Sequence, residues 1–554
     1  MKLNRIYSDY MVVQRGMPVY ICGSSDQAEE TTVRWNGKKL FDMQVQPGVF
    51  HFFLPSMEAQ TDATLEVGDL KISHIDVGEV WIAGGQSNME FLMKYEETAQ
   101  RALPECRDGH VRVYTVGQYA FPEERELGYK DWQDFDRWLP LQPDTAERMT
   151  AVGVFFAKAV REKYSVPVGV ISCNWSGTTA GTWISRERLE KVPALHPYLE
   201  EYEKGLEGVD LRQYQEAMRM VRPAMASRMT DIASSGMMKY TFHPKEAMQK
   251  TMEGYAAAFR EMRFEAAPEM GETAARTMEM LRIVGPGDKN VPGALYDTML
   301  REILGVSARG ILWYQGEQDE GHGAAYETFF TELIRCWRED WRAANPHMEK
   351  LPFLFAQLAP FGTWRGGTGA NFPEIRASQG RVAENVPDTY MASTSDIGNI
   401  YDVHPKNKRD VAKRLFLLAE KYLYGESGVK ADAPALEGMV LGDGKVTLSF
   451  RNAESLLLEP GDFRSYNGFS VKDAPSELLP PVLGGVNGLE VWVDGEQLGR
   501  ARIETEGNQL SVLSDRISTG AAVQVRFAQT GFYEINLYNE AGIPAIPFMV
   551  SNDG

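Results

Sequence analysis

The stretch that decides the fold is VWIAGGQSNMEF, residues 80–91. It is an apolar run that stops at Gly84 and Gly85 and continues at once with polar residues, among them Ser87. A short apolar run that ends at a turn signal is typical of a strand buried on both faces. The two glycines allow a tight turn that a side chain would obstruct. Such a turn would hold the Ser87 hydroxyl out beyond the end of the strand.

The chain around this strand alternates helical and strand-like patterns. Apolar residues recur at helical spacing over 152–164 and again over 326–341, and the apolar runs VPVGVISCNW and LPFLFAQLAP follow them. Helices that alternate with wholly apolar strands are typical of a parallel sheet covered on both faces. The sequence therefore predicts an α/β domain over residues 76–425.

Both ends of the chain have a different sequence pattern. Residues 1–75 and 430–554 consist of short alternating runs separated by turn signals such as Asn36-Gly37, which favours β-hairpins. We predict an N-terminal β region and a C-terminal β-sandwich. A Met-rich segment at about 205–281 has helical character and is predicted to be a helical insertion, a packing surface rather than a cofactor site, and a candidate contact between two copies of the chain.

Length, charge and cysteine usage limit the function. The 554 residues exceed one hydrophobic core, so two or three domains are expected. A net charge of -19 argues against a nucleic-acid or anionic-membrane partner, which would need clustered Lys and Arg. No apolar stretch has the length of a membrane span or a signal peptide, so we expect a soluble, cytoplasmic protein. The scattered cysteines predict buried free thiols, without disulfides or a metal site; they are Cys22, Cys106, Cys173 and Cys336.

Unusual residues follow four of the predicted strands. In parallel α/β sheets, ligands bind beyond the carboxyl ends of the strands. Those positions hold Ser87, Gly177, Gln315 and, after a short loop, His404. Each motif alone is also typical of an ordinary loop. Together they supply what a serine nucleophile needs: a base to take its proton and donors to bind the oxyanion.

These motifs resemble the sialate O-acetylesterase branch of the SGNH hydrolases. Matching blocks cover nearly the whole chain except the Met-rich segment: SDYMVVQR (8–15), VGEVWIAGGQSNMEF (77–91), PVGVISCNWSGTTAGTW (167–183), ILWYQGEQD (311–319), IRASQ (375–379), DVHPKNK (402–408) and LYNEAGIPAIPF (537–548). The resemblance implies a flavodoxin-like three-layer domain with a parallel sheet, no cofactor, and hydrolysis of O-acetyl esters on sugars.

The resemblance also implies roles for single residues. Ser87 is the nucleophile, and His404 is the general base that later protonates the departing sugar oxygen. The oxyanion hole consists of the N–H groups of Ser87 and Gly177 with the side chain of Gln315. This glutamine departs from the superfamily's asparagine but is similar to the acetylesterase branch.

The acid that orients His404 stays open at this point. Most SGNH enzymes place an aspartate three residues before the histidine, but Tyr401 occupies that position and Asp402 is the nearest carboxylate. We predict Asp402, with Asp396 or a backbone carbonyl as alternatives. His322 is a rival base.

Aromatic residues near the predicted site suggest how a sugar would bind. Phe361 and Trp364 lie in a glycine-rich loop, where exposed rings suit stacking on a sugar face, although Trp364 could equally pack down as a lid anchor. Trp175 or Trp313 would bound a shallow acetyl pocket.

Charged residues next to the Gln315 motif allow two interpretations. Arg376 is predicted to pair with Glu317 and brace the Gln315 loop, with direct substrate contact as the alternative. Glu317, Asp319 and His322 could be imagined as metal ligands, but carboxylates along a polar loop are more often solvated, and no metal is predicted.

The sequence thus predicts a serine carbohydrate O-acetylesterase that cleaves acetyl groups from sialic acid or acetylated oligosaccharides through an acyl-enzyme. Two alternatives remain. One is a carbohydrate-binding protein without turnover on the same fold, and the other is a short-chain esterase that acts on non-sugar esters.

Overall fold

A computed structural model describes residues 1–127, 136–215, 283–362, 369–400, 402–459, 465–466, 469–470 and 479–552. The described residues form two compact units. The first holds those of 1–215, 283–315 and 328–353, and the second holds those of 316–327 and 354–552. Two predictions fall outside the described residues: the Met-rich insertion from residue 216 onward, and Trp364.

The first unit begins with a β region that leads directly into the central sheet. Its strands are β1 Lys2–Leu3, β2 Val12–Gln14, β3 Val19–Ser25, β4 Glu29–Trp35, β5 Lys38–Val45, β6 Gly48–Leu54, β7 Gln60–Val67, β8 Leu70–Gly85, β9 Asp108–Thr115, β10 Trp138–Leu141, β11 Val168–Asn174 and β12 Gly310–Tyr314. The predicted Asn36-Gly37 turn joins β4 to β5, with φ of 50° and 75° at its two residues. Strand β8 pairs antiparallel with β7 and then parallel with β11, so it runs unbroken through residues 75 and 76.

The central sheet of the first unit is mixed rather than wholly parallel. Its strand order is β10-β9-β11-β8-β12, and the last four of these run parallel to one another. Strand β10 pairs antiparallel with β9 at the edge of this sheet. Every residue of β11 and β12 is buried, which explains why these strands read as continuous apolar runs.

The two predicted amphipathic helices are present as Ala151–Tyr164 and Tyr326–Ala344. The first begins where the Thr150 side chain accepts a hydrogen bond from the N–H of Gly153, and it packs against β11. The other α-helices are Ser87–Glu90, Ala99–Ala102, Pro143–Ala146, Arg186–Lys191, His196–Gly205, Ala294–Thr298, Phe372–Asn385 and Lys408–Tyr422. Short 3₁₀ helices are Met93–Tyr95, Leu103–Glu105, Pro122–Leu127, Ala180–Trp183, Pro193–Leu195, Leu300–Glu302 and Glu317–His322.

The second unit combines two adjacent strands with a C-terminal β region. The two strands are β13 Phe353–Ala356, of which only Phe353 is assigned to the first unit, and β14 Thr389–Ala392. In that region, β15-β16-β25-β24 and β23-β22-β26-β28 form two four-stranded sheets whose buried side chains share one core. Its strands are β15 Ala435–Gly442, β16 Lys445–Arg451, β17 Leu456–Leu458, β18 Ser465–Tyr466, β19 Phe469–Ser470, β20 Val482–Leu483, β21 Val486–Asn487, β22 Leu489–Val493, β23 Glu496–Gln497, β24 Arg502–Glu506, β25 Gln509–Leu513, β26 Val523–Phe527, β27 Leu537–Asn539 and β28 Phe548–Ser551.

The four cysteines are buried free thiols, as their spacing predicted. Burial raises the pKa of the Cys22 thiol to about 11 and that of Cys336 to about 12, which keeps both protonated and unreactive at neutral pH. Among the described residues, no helix has both the length and the apolar character needed to cross a membrane.

Candidate active site

Three neighbouring strands of the first unit end at the same level. Gly85 at the end of β8 is in register with Asn174 at the end of β11 and with Tyr314 at the end of β12. The segments that follow these strands therefore leave the sheet along one edge. Ser87 lies two residues after the end of β8, and Gln315 comes directly after β12. The segment after β11 is a loop.

The turn before Ser87 requires glycine at position 85 for steric reasons. Gly85 has φ of +132°, and a Cβ added there would lie 2.2 Å from the carbonyl oxygen of Tyr314. That oxygen accepts a hydrogen bond from the N–H of Gln86 at 3.0 Å, and Gly85 itself accepts one from Trp175 at 3.2 Å. The close approach of the strand ends therefore depends on the missing side chain, as the Gly-Gly motif predicted.

Ser87 begins the four-residue helix Ser87–Glu90, and its side chain is partly exposed. The helix is tied to the longer helix behind it, because the Thr150 hydroxyl donates a hydrogen bond to the carbonyl oxygen of Met89 at 2.6 Å. Ser87 thus lies just after a buried strand, on a short helix that this hydrogen bond holds in place.

The loop after β11 is clamped at both sides of Gly177, which has φ of +66°. The Asn290 amide donates to the Gly177 carbonyl at 2.9 Å and accepts from the Thr179 N–H at 3.1 Å. The buried Gln315 side chain donates through Nε2 to the Thr178 carbonyl at 3.1 Å. The structure therefore brings the Gln315 side chain against the loop that holds Gly177, the other predicted oxyanion donor.

Sequence reasoning missed two charged residues that hold the same loop. Glu90 accepts a hydrogen bond from the Ser176 N–H at 2.5 Å through one carboxylate oxygen and from Gln118 at 3.1 Å through the other. The Lys289 ammonium donates to the Ser176 carbonyl and lies 5.7 Å from the centre of the Trp175 ring. Glu90 stands in the quoted motif one helical turn after Ser87, so its position was a usable signal. Lys289 has no comparable signal.

In the second unit, the structure places Asp402 beside His404. The same carboxylate oxygen lies 3.2 Å from the ring Nδ1 and accepts the backbone N–H of His404 at 2.8 Å. Both side chains are buried, with 8% of His404 exposed. If Nδ1 donates its proton to Asp402, Nε2 is the nitrogen that can take up another.

The rival residues of the second unit are engaged differently. Asp396 forms a two-pronged ion pair with Arg414, with N–O distances of 2.7 and 2.8 Å. This arrangement gives Asp396 a structural partner and favours Asp402 as the acid beside the histidine. His322, the rival base, has Nδ1 3.5 Å from Asp319 across one 3₁₀ turn.

Arg376 is fully buried and braces the backbone rather than facing solvent. Its guanidinium donates to four backbone carbonyls, at 2.7–3.1 Å, which are those of Leu358, Ala359, Thr530 and Gly531. These contacts fit a structural role better than direct contact with a substrate, but the carbonyls lie in segments other than the Gln315 loop, so the pairing of Arg376 with Glu317 stays a prediction. Glu317 begins the helix Glu317–His322 and is partly exposed.

Two aromatic predictions need correction. Phe361 is only 4% exposed and packs against Phe372 with ring centres 5.5 Å apart, so it is not an exposed stacking surface. Trp313 is fully buried against Trp183 and Trp337 and cannot bound an acetyl pocket. Trp175 is partly exposed and stays a candidate for sugar contact.

Comparison with known proteins agrees with this description. Residues 284–416 match the family described as "Carbohydrate esterase, sialic acid-specific acetylesterase". The chain is 23% identical to the sialate O-acetylesterase of Mus musculus over 517 residues, which cover 89% of this chain and 81% of the relative. It is 22% identical to that of Homo sapiens over 506 residues, covering 87% and 76%.

A solved structure shares the fold over the full length. The crystal structure of a carbohydrate acetylesterase from Xanthomonas citri covers 100% of this chain with 99% of its own, at a TM-score of 0.68 and 24% identity. The sequence matches to the family and to the relatives indicate the class of protein, which is a carboxylic ester hydrolase. Within that class the chain is similar to sialate O-acetylesterases and to the family of sialic acid-specific carbohydrate esterases, as its motifs predicted.

Proposed function

We propose that the chain is a serine carbohydrate O-acetylesterase that works through an acetyl-enzyme. Ser87 Oγ bonds to the acetyl carbonyl carbon while His404 takes the hydroxyl proton. The tetrahedral intermediate then expels the sugar oxygen, which receives that proton from His404. A water molecule then attacks the carbonyl carbon of the acetyl-enzyme while His404 takes its proton. The second tetrahedral intermediate expels Ser87 Oγ, which receives that proton from His404, and acetate is released.

The observation that carries this proposal is that the strands β8, β11 and β12 end at the same edge of the sheet. Because Gly85, Asn174 and Tyr314 are in register, the segments of Ser87, Gly177 and Gln315 emerge at one edge of the first unit's sheet. N–H donors aimed at one point are what an oxyanion needs, and they act best where water is excluded. The buried Gln315 amide, held on the Thr178 carbonyl, is suited to that task.

The Asp402–His404 pair supports the role of His404 as general base. A carboxylate at Nδ1 fixes the ring tautomer and stabilises the imidazolium that forms when Nε2 accepts a proton. The second hydrogen bond, from the backbone N–H of His404 to the same carboxylate, holds the pair together as one local unit.

The finer features of the fold and substrate belong to this proposal as well. A flavodoxin-like three-layer arrangement is supported by the helix Ala151–Tyr164 against β11 and by the likeness to the Xanthomonas citri structure. Sialic acid or another acetylated sugar is supported by the family description and by the names of the relatives. Trp175 is proposed to face the sugar.

The test compares 4-nitrophenyl acetate hydrolysis by the wild type, Ser87→Ala and Ser56→Ala. Ser56 is exposed in a loop of the same unit and serves as the matched control. We expect Ser87→Ala to lose at least roughly 10⁴-fold in kcat, because nucleophile and base act as one unit, and Ser56→Ala to keep the wild-type rate. Equal rates for all three proteins would favour the non-catalytic carbohydrate-binding alternative.

A second measurement addresses the substrate. Release of acetate from a panel of acetylated sialic acid, xylan and mannan fragments would identify the sugar. Rates on 4-nitrophenyl butyrate above those on the acetate would contradict a small acetyl pocket and favour an esterase of non-sugar esters.

A further inference from the structure

We propose that Lys289 is a positioning residue that aims and strengthens the Gly177 N–H as an oxyanion donor. The inference rests on the proposed function, in which that N–H binds the negative oxygen of the tetrahedral intermediate. Lys289 touches neither the nucleophile nor, in this proposal, the substrate. It acts through the peptide group that joins Ser176 to Gly177.

The geometry follows from the planarity of that peptide group. The Ser176 carbonyl and the Gly177 N–H belong to one planar unit, and the described residues contain no cis peptide bond. In a trans peptide the N–H points opposite to the C=O. Because the Lys289 ammonium holds the Ser176 carbonyl oxygen, it also sets the direction of the Gly177 N–H.

The charge of Lys289 adds a second effect. A cation bound to a carbonyl oxygen draws electron density from the peptide group, so the N–H at its other end becomes a stronger donor. That strengthening is worth most against an oxyanion, since a negative acceptor gains more from a polarised donor than a neutral carbonyl does. The effect therefore favours the transition state over the bound ester.

Residues on either side of the peptide complete the clamp. Glu90 accepts the Ser176 N–H at 2.5 Å, so Ser176 is held by an anion at its N–H and by a cation at its carbonyl. Asn290 fixes the next peptide through the Gly177 carbonyl at 2.9 Å. Two successive peptide planes are thus fixed around a glycine whose backbone would otherwise be the most mobile part of the loop.

A purely structural lysine would leave a different signature. Lys289 also lies near the Trp175 ring, so its removal could simply loosen the loop. Loosening would lower thermal stability and raise KM. Loss of aim and polarisation would instead lower kcat, and the loss would be larger for a replacement that keeps less of the charge and donor capacity of lysine.

The experiment measures kcat and KM for 4-nitrophenyl acetate, with thermal midpoints, in Lys289→Arg, Lys289→Gln and Lys289→Met. Arginine keeps a charged donor, glutamine keeps a neutral donor, and methionine keeps neither. We expect kcat to fall in that order, by about tenfold for Lys289→Met, which is less than the roughly hundred- to thousandfold cost of deleting a donor itself. KM should stay within about twofold, because ground-state binding does not use the oxyanion.

Lys191→Met is the matched control. Lys191 lies in the same unit with a side chain that is 72% exposed and pairs only with Glu187 among the salt bridges of the described residues, so its kcat should be unchanged. If Lys289→Met does not fold, the order of kcat among the wild type, Lys289→Arg and Lys289→Gln still tests the proposal. Equal kcat in folded variants, or a rise in KM at constant kcat, would overturn the proposal. A wild type no more active than Ser87→Ala would instead refute the proposed function.

Discussion

Substitution of Gly85 by alanine tests whether the close approach of β8 and β12 creates the turn before Ser87. The substitution adds one methyl group at φ of +132°, a backbone conformation that residues with a Cβ rarely adopt. The methyl carbon would lie 2.2 Å from the Tyr314 carbonyl oxygen, with the carbonyl carbon and nitrogen of the same residue at 2.8 and 3.0 Å. All three neighbours are backbone atoms of a fully buried strand, so no flexible side chain can yield.

The magnitude follows from two contributions. The unfavourable backbone conformation costs about 1–3 kcal/mol. Relief of the overlap requires β8 and β12 to separate, which weakens the hydrogen bond from Gln86 to Tyr314 and costs about another 1 kcal/mol or more. We expect a loss of about 2–4 kcal/mol and, at about 2–4 °C per kcal/mol, a thermal midpoint lowered by roughly 4–16 °C.

Differential scanning calorimetry of the wild type, Gly85→Ala and Gly109→Ala measures this effect. Gly109 lies at the start of β9, and a Cβ there would have no atom within 4 Å, so alanine at this position should be neutral or stabilising by up to about 1 kcal/mol. A Gly85→Ala midpoint within about 2 °C of the wild type, under 1 kcal/mol on the same scale, would refute the argument that the turn requires glycine.

Two further predictions concern charged pairs. Asp402→Asn should lower kcat for 4-nitrophenyl acetate by at least about a hundredfold with little change in thermal midpoint, because the neutral amide no longer stabilises the imidazolium of His404; wild-type turnover would contradict the pairing. Burial alone would raise the pKa of the Glu79 carboxyl, but hydrogen bonds and charge from Arg309 and Arg15 outweigh it and hold the pKa below its ordinary value of 4.5. Its contribution is therefore present above pH 4.5 and lost as the pH falls through the lowered pKa, so the gap in thermal midpoint between the wild type and Glu79→Gln should be constant from pH 6 to 8 and narrow as the pH falls below 4.5; a gap that widens on acidification below pH 4.5 would contradict this.

Much of the candidate site in the first unit could be predicted because local pattern and sheet geometry determine it. Apolar runs that end at glycine or a polar residue identify β8, β11 and β12, and parallel strands deliver their carboxyl ends to one edge. That is why Ser87, Gly177 and Gln315 could be collected from the sequence. The mixed character of the sheet was missed, because nothing in the short strand Trp138–Leu141 distinguishes an antiparallel edge from a parallel one.

The sequence left the acid open for a physical reason. Asp402 is two residues before His404, and at that spacing an aspartate can accept the backbone N–H of the second residue, as it does at 2.8 Å. This local turn carries the carboxylate to the ring. Asp396 could be set aside only when its ion pair with Arg414 was visible, since the partner lies 18 residues away along the chain.

Phe361 shows where local composition misleads. Surrounding glycines suggested an exposed loop, but the Phe361 N–H donates to the carbonyl of Gly531 at 2.9 Å, a residue 170 positions further along. The ring packs on Phe372, and a Cβ on Gly369 would lie 2.8 Å from it. The glycine therefore makes room for a buried ring, which a sequence pattern cannot distinguish from flexibility.

The contacts of Glu90 and Lys289 with Ser176 also come from distant parts of the chain, which a local sequence pattern does not reveal. Glu90 and Lys289 approach from segments 86 and 113 residues away from Ser176. Glu90 stands in the Ser87 motif, but in the sequence Lys289 looks like an ordinary solvated residue. A glycine-containing oxyanion loop that had to be ordered at each turnover would lose part of its stabilising effect to that ordering. Charged groups that fix the peptide beforehand remove this cost, so their substitution should reduce the rate of the chemical step before it affects binding. A residue with a weak local signature such as Lys289 can therefore contribute to the proposed catalysis, although less than the residues of the Ser87 motif.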